Sequence, residues 1–143
     1  MSTVIIIDAV RIAWPRLKLE EGFRSHPYTD TGGHTTVGYG FNLDAGITMR
    51  AAEALLLAQA QEIHEALLQL SWYAALDPVR QSVCLDIAFN AGEGGLLKFP
   101  HMIAALARQD WPTASTECRV ENPALDASRY ATLRQLLLIG GAQ

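Results

Sequence analysis

The sequence predicts an α+β fold that is predominantly α-helical, with a small antiparallel sheet of three strands near the N-terminus. One sign is the segment 21–43, which holds five glycines and short β-prone runs within an otherwise Ala- and Leu-rich chain. The other is the spacing of apolar residues after Thr48, which recur about every three and a half positions as in an amphipathic helix. A chain of 143 residues, half of them apolar, is long enough for one domain made of two lobes.

The N-terminal part is predicted to contain one short helix. Pro15 suits the first helical position, since a missing backbone N–H costs nothing there. The helix is expected to end at Glu20 or Glu21, because Gly22 is a typical residue just after a helix. Residues 1–13 form an extra N-terminal segment, for which a small helix and an extended lead-in are both open.

A three-stranded sheet is predicted to follow the helix. The runs 27–29 and 34–37 are β-prone, and the segment 30–33 between them (Asp-Thr-Gly-Gly) has the composition of a turn. A second glycine-rich turn leads to a third short strand near 41–43. The sheet lobe is predicted to cover about residues 14–47.

A long helix over about residues 48–70 is predicted to connect this lobe to a helical one. Thr48 is a suitable N-cap, because its hydroxyl can accept a hydrogen bond from a free N–H group of the first turn. One stripe of this helix is apolar and consists of Met49, Ala52, Leu56, Ile63, Leu67 and Leu70.

The helical lobe, about residues 77–141, is predicted to begin with a buried central helix. Asp77 as N-cap and Pro78 at the first position mark its start. The helix is apolar on nearly all sides and is expected to end at Ala91, ahead of a Gly-rich turn. Three more helices are expected, starting at Pro100, at Pro112 and, with an aspartate cap and an end near Ile139, at Asp126.

The composition argues against several classes of protein. The net charge is −4 and Lys and Arg form no run, so no nucleic-acid-binding face is expected. Cys84, Cys118 and the four histidines have no metal-ligand spacing, and neither a metal site nor a disulfide scaffold is predicted. The apolar run 4–7 is cut by Asp8, which predicts a chain made in the cytoplasm without a signal peptide or membrane anchor.

Glu21 and Asp30 are the only carboxylates of the segment 21–43. Cleavage of a glycosidic bond uses such a pair: one carboxylic acid protonates the leaving oxygen, and the other positions water or attacks the sugar. The ordinary alternative is that Glu21 merely ends a helix and Asp30 is a turn residue.

The spacing within this segment resembles the active-site segment of the phage-type lysozymes, the endolysins of the T-even phage kind. The shared pattern reads E-G-x-R-x-x-x-Y-x-D-x-x-G-x-x-T-x-G-x-G, and its nine positions are Glu21, Gly22, Arg24, Tyr28, Asp30, Gly33, Thr36, Gly38 and Gly40. A looser likeness continues through the central helix to about Gly141. The resemblance implies a lysozyme-like fold.

The same resemblance assigns roles to individual residues. Glu21 would donate a proton to the glycosidic oxygen. Asp30 would orient the attacking water or stabilise positive charge on the sugar, and Thr36 would bind that water. Arg129 would approach Glu21 from the last helix as a supporting residue. Saccharide contacts are implied for Asn42, Phe89 and Asn90.

The implied activity is hydrolysis of the β-1,4 bond between N-acetylmuramic acid and N-acetylglucosamine in peptidoglycan, without metal or organic cofactor. Inversion is expected, although spacing alone does not decide it. Two alternatives stay open: a lytic transglycosylase that forms anhydro ends, and a non-catalytic wall-binding or virion module of the same fold. Phe41 departs from the family pattern, since many relatives carry His there.

The expected partner is a peptidoglycan glycan strand, and the chain is expected to be a monomer. The resemblance further implies a phage endolysin that causes host cell lysis. A holin would then provide its passage across the membrane to the periplasmic cell wall.

Overall fold

The structure, a computed structural model, describes residues 8–141. The interpretations that concern residues 1–7 lie outside this range. The chain divides into two compact units, Met1–Ala52 and Glu53–Gln143, called here the first and the second unit. Each unit is described by itself.

The first unit contains a helix and a three-stranded sheet. Its described elements are α1 (Asp8–Glu21), β1 (Arg24–Thr29), β2 (Thr35–Gly38) and β3 (Phe41–Asn42). The strands pair in the order β1-β2-β3, and both pairs are antiparallel. The predicted α+β class, with its small sheet near the N-terminus, is confirmed.

Helix α1 starts earlier than predicted. It covers Asp8–Glu21 of the described residues, so Pro15 lies inside it instead of at its first position. The guanidinium of Arg11 contacts the carboxylate of Asp8 at 3.2 Å, as side chains one helical turn apart can do. The predicted end is correct, because Gly22 has φ +66° and its N–H donates to the carbonyl of Lys18 at 3.1 Å.

The helices follow the sheet. They are α2 (Met49–Leu67), α3 (Ser71–Ala74), α4 (Pro78–Leu96), α5 (Pro100–Ala107), α6 (Trp111–Glu117), α7 (Pro123–Leu125), a π-helical turn (Asp126–Tyr130) and α8 (Ala131–Ile139). The boundary between the two units falls within the first turn of α2.

The predicted caps of α2 and α4 are confirmed. The hydroxyl of Thr48 accepts the N–H of Ala51 at 3.1 Å, and Asp77 accepts the N–H groups of Val79 and Arg80. Helix α4 bends at Gly92, whose φ of +77° and ψ of 164° are not helical, and one more turn follows.

Asp126 is not the N-cap of the last helix, contrary to the sequence prediction. The cap of this region is Asn122, whose side chain accepts the N–H groups of Ala124 and Leu125. Asp126 itself is helical, and its carboxylate pairs with Arg134 at 2.7 Å. The ion pair joins residues eight positions apart, or about two helical turns, and a single cap signal in the sequence does not reveal it.

The core of the second unit surrounds α4. Its fully buried members include Leu67, Tyr73, Val83, Cys84, Leu96, Met102, Ala105 and Leu137. Of the apolar stripe predicted on α2, only the C-terminal end is buried, since Met49 is 78% exposed and Leu56 52%. Helix α2 therefore contributes to this core mainly through its last turns.

The buried Arg80 joins the start of α4 to the end of α8. Its Nε donates to the carbonyl of Leu137 at 2.8 Å, and its Nη1 contacts Asp77 at 2.8 Å. The guanidinium also lies 3.7 Å from the centre of the Trp111 ring. Gly140, with φ +61°, packs so closely against this guanidinium that any side chain there would collide with it.

Candidate active site

Glu21 is the last residue of α1, and its side chain is exposed to solvent. The carboxylate lies over the backbone of Gly40 in the turn between β2 and β3. A β-carbon built on Gly40 would lie 2.5 Å from Oε2 of Glu21. Gly40 also has φ +74°, a conformation that side-chain-bearing residues rarely adopt. Both facts explain why glycine stands at this place.

Aromatic packing holds the β2–β3 turn against the end of α1. The rings of Phe23 and Tyr39 lie 5.4 Å apart, one just after α1 and the other in the turn. The ammonium group of Lys18, in the last turn of α1, lies 5.7 Å from the centre of the Tyr39 ring. These contacts fix the position from which Glu21 extends.

Asp30 occupies the tight turn after β1 and is held by it. Its Oδ1 accepts the N–H of Gly32 at 2.9 Å and the N–H of His34 at 2.8 Å. The N–H of His34 has the largest effect in lowering the pKa of Asp30, the N–H of Gly32 adds to it, and partial burial opposes both. Asp30 is therefore ionised at neutral pH.

Thr36 brings a hydroxyl to the second oxygen of Asp30. Its Oγ1 lies 3.4 Å from Oδ2 of Asp30 and 3.3 Å from the carbonyl of His34. Thr36 is 3% exposed and is directly opposite Tyr28 on β1 and Asn42 on β3. Directly opposite residues share one face of a sheet, so strand pairing fixes the direction of this hydroxyl.

Asn42 has a structural contact of its own. Its side-chain oxygen accepts the N–H groups of Asp44 at 3.0 Å and Ala45 at 3.3 Å. The oxygen thus shapes the turn that follows β3. The predicted saccharide contact of Asn42 would have to use the amide NH₂ group.

Phe89 and Asn90, in the second unit, line two different cavities. Phe89 is 40% exposed and lines a cavity of about 500 Å³ together with residues of α2 such as Glu62. Asn90 lines a cavity of about 610 Å³ that also includes Tyr130. Adjacent helix positions point about 100° apart, which explains why the structure separates two residues that the sequence grouped together.

Arg129 has an acidic partner within its own unit. Its Nε contacts Oδ1 of Asp86 at 2.7 Å, and its Nη2 lies 3.4 Å from the carbonyl oxygen of Asp86. The approach of Arg129 to Glu21 stays a prediction. Asp86 lies on α4, a helix that the sequence did not connect with Arg129.

The sequence was also compared with protein families. A model of the phage lysozyme family matches residues 18–131. The chain belongs to the phage lysozyme family. As a phage lysozyme, it is a glycosidase that acts on peptidoglycan in the cell wall. No curated protein matches the chain with significant similarity.

The matched span of this phage lysozyme contains every residue for which a role was predicted, from Glu21 to Arg129. Within residues 8–141, no helix is long and apolar enough to cross a bilayer. The same part of the chain contains no group of three His, Cys, Asp or Glu side chains that could hold a metal ion.

Two polar residues of the lysozyme sheet were missed by the sequence reasoning. The carboxylate of Asp44 accepts the N–H of Thr35 at 2.9 Å, across the end of the β2–β3 pair. The imidazole of His34 lies 3.4 Å from Oδ1 of Asp30. The four-residue spacing of Asp30 and His34 was visible in the sequence, but in a segment that is not helical such residues meet only if the chain turns tightly.

Proposed function

We propose that this phage lysozyme hydrolyses the β-1,4 bond between N-acetylmuramic acid and N-acetylglucosamine, with Glu21 as general acid. Asp30 and Thr36 would position the attacking water. The pairing of Oδ2 of Asp30 with the Thr36 hydroxyl, 3.4 Å apart, carries this proposal. A carboxylate beside a hydroxyl offers a water molecule one proton acceptor and one group that both donates and accepts.

The proposed reaction has one step. Glu21 gives its proton to the glycosidic oxygen as the bond to the anomeric carbon breaks. Water attacks the same carbon from the opposite face and passes a proton to Asp30. The products are a reducing N-acetylmuramic acid end and a free hydroxyl on the leaving sugar, and the configuration is inverted.

The electrostatics of Asp30 support its role in this step. A residue that accepts a proton from water has to be ionised before the reaction, and the backbone N–H groups of the turn lower the pKa of Asp30. These N–H groups act on Oδ1, so Oδ2 is the oxygen left to face water and Thr36.

Three further residues are proposed to bind the saccharide, and a fourth is proposed to support Glu21. Phe89 is exposed enough to stack on a sugar ring, and Asn90 and the NH₂ group of Asn42 can bond to saccharide hydroxyl or acetamido groups. Arg129 is proposed to act beside Glu21. Since it is paired with Asp86, an Arg129→Lys variant should lose the planar contact while keeping the charge.

The proposed biological role is that of a phage endolysin that lyses the host cell from within. The enzyme would act on the periplasmic cell wall as a monomer, and a holin would be the partner that allows it to cross the membrane. Co-expression in bacteria tests this role: lysis should require both the active enzyme and the holin.

The central experiment is digestion of purified peptidoglycan, followed by mass analysis of the products. Hydrolysis gives reducing muramic ends, a lytic transglycosylase gives anhydro ends, and a binding module gives no cleavage. Proton NMR early in the reaction reports the configuration of the new reducing end. The α-anomer is expected for inversion.

The matched variants are Glu21→Gln and Glu20→Gln, since both carboxylates lie in the last turn of α1. Glu21→Gln should abolish cleavage, while Glu20→Gln should leave it unchanged. If Glu21→Gln cleaves peptidoglycan as fast as the unchanged enzyme, Glu21 is not the general acid.

A further inference from the structure

His34 lies within the turn that holds Asp30 and touches its carboxylate twice. Its backbone N–H donates to Oδ1 at 2.8 Å, and Nδ1 of its imidazole lies 3.4 Å from the same oxygen. Gly32 leaves space for this arrangement. A β-carbon on Gly32 would lie 3.0 Å from Nδ1 of His34 and 3.4 Å from Oδ1 of Asp30.

The two oxygens of Asp30 are consequently not equivalent. Oδ1 receives two backbone N–H groups and the imidazole, whereas Oδ2 has the Thr36 hydroxyl beside it. We propose that His34 is a positioning residue for Asp30: its imidazole holds Oδ1 in the turn, which directs Oδ2 toward the attacking water, and its protonation weakens Oδ2 as a proton acceptor. This inference rests on the proposed function.

The surrounding charges make the imidazole the group that tunes Asp30. Asp44, after β3, is engaged with the N–H of Thr35, and Glu21 is at the end of α1. The guanidinium of Arg24, on β1, lies 4.2 Å from the centre of the Tyr28 ring. Among the described charged side chains of the first unit, the imidazole is the one in contact with the carboxylate of Asp30.

The contact between His34 and Asp30 is expected to affect the reaction and to contribute little to the stability of the fold. The side chains of His34 and Asp30 are 52% and 34% exposed, and solvent-exposed ion pairs contribute little to stability. A protonated imidazole beside Oδ1 withdraws negative charge from the carboxylate. The carboxylate then accepts a proton from water less readily, and the rate falls as the imidazole gains its proton.

The test is the pH dependence of kcat/KM for His34→Gln, with His26→Gln as the matched control. His26 is an exposed histidine of β1 that contacts Ser25. Gln keeps a neutral N–H donor but takes up no proton. Lowering the pH should therefore reduce the activity of the variant about two- to fivefold less than that of the unchanged enzyme.

A second variant moves the imidazole without removing it. Gly32→Ala would place a methyl group 3.0 Å from Nδ1 and push the ring away from Asp30. Its pH profile should resemble that of His34→Gln, and thermal unfolding should stay close to that of the unchanged enzyme.

Carbon-13 NMR of the Asp30 carboxyl gives a readout that does not need activity. The charge of His34 contributes to the low pKa of Asp30, so His34→Gln should raise that pKa and His26→Gln should not. Coincident pH profiles, or a loss of activity that is equal at every pH, would overturn the positioning role. If Glu21→Gln stays active, the proposed function fails instead, and the NMR titration still decides whether His34 acts on Asp30.

Discussion

Replacing Gly40 with Ala should displace the carboxylate of Glu21, although none of the proposed catalytic residues is itself substituted. The added β-carbon would lie 2.5 Å from Oε2 and 3.3 Å from the carboxyl carbon of Glu21. Non-bonded heavy atoms rest about 3.5 Å apart, so the carboxylate oxygen has to retreat by about 1 Å.

Two costs of this substitution can be separated. A residue with a β-carbon in the left-handed region, where Gly40 has φ +74°, destabilises the fold by about 1–2 kcal/mol. A misplacement of about 1 Å at a catalytic group lowers the rate by about 10²-fold. Gly40→Ala is therefore expected to be slightly less stable and about 10²-fold less active.

Gly46 provides the matched control. It has φ +75°, but a β-carbon there would have nothing within 4 Å. Gly46→Ala should lose a similar amount of stability in urea unfolding and keep its activity in a cell-wall clearing assay. If the two variants clear cell walls equally fast, the position of Glu21 over Gly40 does not matter for catalysis.

Two further substitutions test the hydroxyl of Thr36 and the ion pair between Asp77 and Arg80 in the second unit. Thr36→Val replaces a buried hydroxyl with a methyl group, so activity should fall by about 10²-fold, and a fully active variant would contradict the role of Thr36. Asp77→Asn should destabilise the fold by about 1–3 kcal/mol at pH 7, because the buried Arg80 loses its charged partner. Burial raises the pKa of Asp77, but the hydrogen bonds from Arg80 and Gly141 outweigh burial and lower the pKa of Asp77 in the folded state. The stability that these hydrogen bonds provide is present above the ordinary carboxyl pKa. It is lost as the pH falls through the folded-state pKa. Urea unfolding across pH should thus show the variant and the unchanged protein converging in acid, and a difference that is constant with pH would refute this explanation.

Features that depend on neighbouring residues were predicted well from the sequence. The caps Thr48 and Asp77, the end of α1 at Gly22 and the three short strands all follow from the conformational preferences of a few adjacent residues. The spacing of Glu21, Asp30 and Thr36 could be recognised in the sequence because one short segment contains all three residues.

Features that depend on residues far apart in the sequence could not be predicted from it. Pro15 lies inside α1, although a proline suits the first turn of a helix better than its interior. Asp126 has the side chain of a cap, but its partner Arg134 decides its role. The contact of Arg129 with Asp86 spans 43 positions, and no local pattern signals it.

The anchor at Arg80 has a consequence for the order in which the chain acquires its structure during synthesis. The carbonyl groups that receive its guanidinium belong to Leu137 and Leu138, 57 and 58 positions later, and the N–H that completes Asp77 belongs to Gly141. A ribosome that has made only the central helix leaves this guanidinium without those acceptors. Because contacts of such long sequence separation close last, the start of α4 becomes fixed only after the end of α8 has emerged.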